Sequence, residues 1–97
     1  MVTFSFRNFG DNLGTRPLGE RVREQLMPLL EQNDRVVLDF TGVDVVSNSF
    51  ADECIAKLLL TMPLSELKAR TTFQGLNPIA SESVLTALQR RHLSITK

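Results

Sequence analysis

The run Val36-Val37-Leu38, set between Arg35 and Asp39-Phe40, constrains this chain most. Consecutive apolar residues without polar alternation read as a strand covered on both faces, as in a parallel sheet. The flanking patterns fit that reading. MVTFSF alternates, with Val2, Phe4 and Phe6 on one face, and predicts a half-buried first strand. Gly10-Asp11-Asn12-Leu13-Gly14 then breaks it as a turn. From Pro17 to about Gln32, Leu18, Val22, Leu26, Leu29 and Leu30 recur at helical spacing. Thr15 caps that helix and Pro17 sits in its first turn, where the lost N–H costs nothing. Pro28 should kink the last turn or end the helix early.

After Thr41-Gly42 and a short apolar step, Val43 to Val46, the segment Ser47-Asn48-Ser49 opens a second helix. It is expected to reach about Thr61, burying Ala51, Ile55, Leu58 and Met62, with Cys54 and Leu59 flanking. Thr71 to Gln74 predicts a third strand. A last helix starts at Asn77-Pro78, buries Ile79, Val84, Leu85 and Leu88, and exposes Glu82, Gln89 and Arg90. Leu93-Ser94-Ile95 reads as a short fourth strand. Strand and helix alternate over short links, so right-handed crossovers give an α/β fold with a mainly parallel sheet. Such a sheet gathers its helix starts beyond the carboxyl ends of the strands, where open sheets place their sites. Thr15-Arg16, Ser47-Asn48-Ser49 and Asn77 should meet there.

Composition narrows the function. The 97 residues form one domain, 1–97, and the 42% apolar content is ordinary for a globular protein. Eleven basic and eleven acidic residues cancel, and Tyr and Trp are missing, so nucleic-acid binding is not expected. No apolar run approaches the ~20 residues of a membrane span, and the start lacks signal-peptide character. The single cysteine, Cys54, fits a reducing compartment. Together these predict a cytoplasmic protein.

Ser49 is the most informative residue. At a helix start, N–H groups and the dipole favour an added phosphate, which makes Ser49 a candidate phosphorylation site. Ser49-Phe50-Ala51-Asp52 also resembles a capping box, and from the residues alone capping is the stronger reading. Asp52 and Glu53 place negative charge beside it and should repel a phosphate. Arg16 is positioned to pair with Asp52, Glu53 or a bound anion. Asp39 and Asp44 lack a third metal ligand and read as turn residues. His92 ends the last helix without a Ser or Cys in a recognisable triad motif. Cys54 reads as core, and Gly10, Gly14 and Gly19 lack the spacing of a phosphate-cradling loop. No catalytic residue, metal ligand or cofactor motif is found, so no enzymatic activity is expected.

The segment VVLDFTGVDVVSNSFADECIAKLL resembles the STAS superfamily, shared by sulphate transporters and bacterial anti-sigma-factor antagonists. It is more closely similar to the STAS-like domains of unknown function. The likeness rests on Leu38-Asp39-Phe40, Gly42-Val43, Ser47 through Glu53, and the earlier Gly14-Thr15-Arg16 with Gly19 and Val22, over roughly residues 13 to 60. The resemblance implies a STAS-like sheet of about four mostly parallel strands with three helices packed against it. It also implies a regulatory module that docks a protein partner, such as a histidine-kinase-like ATPase, through Arg16, Ser47, Asn48, Ser49, Phe50, Asp52 and Glu53. In anti-sigma-factor antagonists a serine at this helix start is phosphorylated by the partner, and that position falls on Ser49. Ser47 stands where those proteins carry an aspartate, and Phe50-Ala51-Asp52-Glu53 replaces their small-residue turn. The rival reading is a small-ligand or enzymatic site built from Arg16, Ser49 and Asp52. The expected assembly is a monomer or a weak homodimer.

Overall fold

The computed structural model describes residues 2–96, so Met1, the expected start of the first strand, lies outside them. Its central sheet is β1 (Val2–Ser5), β3 (Val36–Asp39) and β5 (Thr71–Gln74), ordered β1-β3-β5. All pairings are parallel, with Phe4, Leu38 and Phe73 in register. A second sheet pairs β2 (Asn12–Leu13) with β4 (Val45–Val46), also in parallel. The helices are α1 (Arg16–Gln32), α2 (Asn48–Cys54), α3 (Leu64–Arg70) and α4 (Pro78–Thr96), with 3-10 turns at Phe6–Phe9 and Ala56–Leu60. The expected single sheet of about four strands is therefore a three-stranded and a two-stranded sheet, and the helices number four among the described residues.

The central sheet buries one face only. Val36 and Leu38 are buried, whereas Val37 is half-buried between its register partners Thr3 and Thr72, both exposed. The expectation that both faces of the strand are covered is corrected. A β-branched Val flanked by two threonines tolerates this pleated, half-wet position. Beneath the covered face, Phe6 stacks on Phe40 with ring centroids 3.9 Å apart, and Phe50 meets Phe6 edge-on.

Several local expectations change. Helix α1 runs through Pro28 without a break. Pro28 and Glu24 both face solvent, which leaves the carbonyl without its proline donor open to hydration. At the end of α1, Asn33 Nδ2 donates to the Leu29 carbonyl at 2.9 Å, and Arg70 donates to the carbonyls of Leu30 and, at 3.0 Å, of the cap residue Asn33. The second helix stops at Cys54 and continues as the 3-10 turn to Leu60, yet Ala51, Ile55, Leu58 and Met62 are buried as expected. In α4 the buried stripe is Ala80, Val84, Ala87 and Leu88, while Ile79 and Leu85 are exposed. Small alanines turn this face inward because they let the helix backbone approach its neighbours. Residues 93–95 continue α4 and form no strand, and His92 lies inside that helix. Among the described residues no helix is long and apolar enough to cross a membrane.

Candidate functional site

The two-stranded sheet builds the site. Its strands run directly into α1 and α2, and their pairing sets the two helix starts side by side. Asp11 O accepts from Asp44 N at 2.8 Å, and Leu13 O accepts from Ser47 N at 3.0 Å. Asn77, just before α4, donates from Nδ2 to Asp44 O at 2.9 Å, and its Oδ1 accepts from Ala80 N at 2.8 Å. The three helix starts thus meet at one sheet end, as the topology predicts.

Helices α1 and α2 approach closely at Gly19. A methyl group there would lie 3.0 Å from Glu53 Cβ and 3.2 Å from the Phe50 carbonyl oxygen. That closeness brings Arg16 and Arg23 of α1 onto the acidic residues of α2. Arg16 Nη1 is 2.9 Å from Asp52 Oδ2 and 3.3 Å from Glu53 Oε1. Arg23 sits 2.7 Å from Glu53 Oε2 and also donates to the Glu53 backbone carbonyl. Lys57 reaches the same carboxylate at 3.0 Å. From α4, Arg91 takes both Asp52 oxygens, at 3.2 Å from Nε and 2.7 Å from Nη2.

Hydrogen bonding from Arg23 outweighs burial and, with Lys57 and Arg16, holds the Glu53 carboxyl at about 2, below its ordinary 4.5. Burial works to raise Asp52, but hydrogen bonds from Arg91 and Arg16 hold it below its ordinary value. Cys54 is buried, and desolvation pushes its thiol up to about 12. Asp39 serves a turn, accepting from Thr41 N at 2.9 Å and Thr41 Oγ1 at 2.6 Å.

The predicted site residues separate into two layers. Ser47, not Ser49, is the helix cap: its backbone is extended, and its Oγ accepts from Phe50 N at 3.0 Å. Ser49 lies inside the first turn, exposed, and its hydroxyl makes no hydrogen bond to any described residue. The capping box is therefore corrected, since the pairing of β4 with β2 ends the extended chain one step before Asn48. Phe50 is fully buried and Glu53 is 6% exposed, so both support the surface from behind rather than present themselves on it. Arg16, Asn48 and Ser49 are exposed, and Asp52 and Ser47 are half-buried beside them. The expected repulsion at Ser49 also changes sign. Both acids are taken by cations, and Ser49 opens onto a cleft of about 410 Å³ lined by Arg16, Asp52, Arg90 and Arg91. Thr86 and Ser94 of α4 form its other wall.

Arg23 and Arg91 were not legible as site residues. Arg23 follows Gly19 by one helical turn at the edge of the α1 stripe, and Arg91 follows Leu88 likewise in α4. Charges bordering an apolar stripe are the signal that could have exposed them.

Parallel strands feeding adjacent helix starts, over a one-sided sheet, define a STAS-like α/β domain. The family described as STAS-like domain of unknown function matches residues 19–79, more than half of the sequence, and this chain belongs to it. The matched span includes Ser49, Asp52 and Glu53, whereas Arg16, Arg90 and Arg91 lie outside it. No curated protein and no solved structure matches the chain.

Proposed function

We propose that this chain is a cytoplasmic regulatory module that acts by docking a protein partner, not by catalysis, through the surface around Ser49. The observation that carries this reading is the division of labour between two serines. Ser47 holds the helix start, and Ser49 faces solvent with no side-chain hydrogen bond to any described residue. A hydroxyl released from capping, on a helix start stiffened by ion pairs, suits a switch that a partner reads. An ATPase related to histidine kinases is the partner class that the STAS resemblance suggests, and Ser49 is then the phosphate acceptor. The surface a partner meets comprises Arg16, Ser47, Asn48, Ser49 and Asp52, while Phe50 and Glu53 fix its shape.

The test is to place a photo-crosslinking side chain at Asn48, identify what it captures in the cell, and titrate that protein against the pure chain. A saturable complex that shields Ser49 from hydrogen exchange or modification supports the reading. A complex whose footprint lies elsewhere, such as the exposed sheet face around Val37, overturns the assigned surface.

A further inference from the structure

The cleft between the α2 start and α4 carries more positive charge than the fold needs. Arg16 and Arg91 are both held by Asp52, and Arg16 makes a second, longer pair with Glu53, a carboxylate that Arg23 and Lys57 already occupy. Arg90, the third cation on the wall, is exposed and makes no ion pair with any described residue. Among the described residues lining the space Asp52 is the only acid; Glu53 behind it is shared by Arg16, Arg23 and Lys57, so five cations with Arg90 and Arg91 surround two carboxylates and a positive surplus remains. Placing like charges together is unfavourable unless an anion joins them. Hydroxyl groups of Ser49, Thr86 and Ser94 add neutral donors to the same walls.

We propose that this cleft binds the phosphomonoester dianion of a small polar molecule. Guanidinium groups present paired N–H donors that match two phosphate oxygens at once. The volume, about 410 Å³, falls within the range of small-molecule sites. Among the described residues Ala87 is the one apolar lining residue and no aromatic ring lines the space, so the walls favour a hydroxyl-rich body over a stacked base. Arg90 supplies the unpaired charge that meets the phosphate, and Asp52 positions Arg16 and Arg91 beside it. The cleft shares Arg16, Asn48, Ser49 and Asp52 with the proposed docking surface, but the inference needs no partner and no modification of Ser49.

The test uses the full chain, isotope-labelled, titrated with glucose 6-phosphate at constant ionic strength and followed by NMR. The expected result is saturable shift changes confined to residues 48–52 and 86–94. Arg90→Gln, which removes a charge-assisted contact, should weaken binding roughly tenfold without lowering the thermal midpoint. Arg21→Gln removes an equal charge from an exposed position of α1 outside the cleft and should leave affinity unchanged. Shifts that never saturate, or equal losses in the two variants, would reduce the effect to general charge screening and overturn the site. Tighter binding of a phosphoserine peptide than of glucose 6-phosphate would overturn the assignment to a small polar molecule.

Discussion

Arg23 of α1 and Glu53 of α2 form an ion pair at 2.7 Å, and Arg23 also donates to the Glu53 main-chain carbonyl, so one guanidinium ties side chain and backbone across the helix seam. Because Glu53 is 6% exposed, that tie is a packing element as much as an electrostatic one. It fixes the distance between α1 and the turn that carries Ser49.

The pair predicts how the fold responds to acid. The folded Glu53 carboxyl sits at about 2 and its ordinary value is 4.5. A depressed folded value means that the stabilisation is full above the ordinary value and is lost as pH falls towards the folded one. Wild type should therefore lose stability between about pH 4.5 and 2, and Glu53→Gln should flatten that part of the curve. At neutral pH Glu53→Gln should cost roughly 3 kcal/mol, the low end for a broken buried pair, because its cations keep some solvent. Urea midpoints against pH check both, and parallel curves for the two proteins would contradict the assignment.

The serines should separate cleanly in stability. Ser47→Ala removes the cap and should cost about 1 kcal/mol, whereas Ser49→Ala should change little. Equilibrium unfolding of both variants decides it. A larger loss at Ser49 would restore Ser49 as the cap.

Gly19 supplies a test of sign. Exchanging a helical glycine for alanine ordinarily stabilises by about 1 kcal/mol. Here the added methyl group meets Glu53 Cβ at 3.0 Å, and overpacking of that kind costs typically about 1–3 kcal/mol. Gly19→Ala should thus lower the thermal midpoint. A raised midpoint would mean the helices part freely.

Cys54 should be inert in the folded chain. It is fully buried and its thiol is pushed up to about 12, so little thiolate exists near neutral pH. Alkylation rates with and without urea measure this. Rapid labelling of the native protein would show that the α2 face opens.

What the sequence made legible followed from strong local signals. The third strand, Thr71 to Gln74, coincides with β5, and the Thr15 cap accepts from Leu18 N at 3.3 Å as its position predicts. The pairing of Arg16 with Asp52 also followed, since topology placed both at one sheet end. The rest depended on contacts distant in sequence. Strands β2 and β4 are two residues each, too short for periodicity to reveal, and only their mutual pairing makes them strands. That pairing moved the cap from Ser49 to Ser47. Helix α3 offers only Leu64 and Leu67 as apolar anchors, and the exposure of Ile79 and Leu85 reflects a helix that turns its alanines inward.

The docking account is tested most directly by a calorimetric titration of the captured partner against wild type and Ser49→Asp. An aspartate at this position faces Arg16, Arg90 and Arg91, so the variant should fold at least as well as wild type while lowering the positive charge that the partner meets. The expected result is a thermal midpoint no lower than that of wild type and an affinity at least roughly tenfold weaker, equivalent to about 1.4 kcal/mol. Equal affinity for Ser49→Asp and wild type would contradict it.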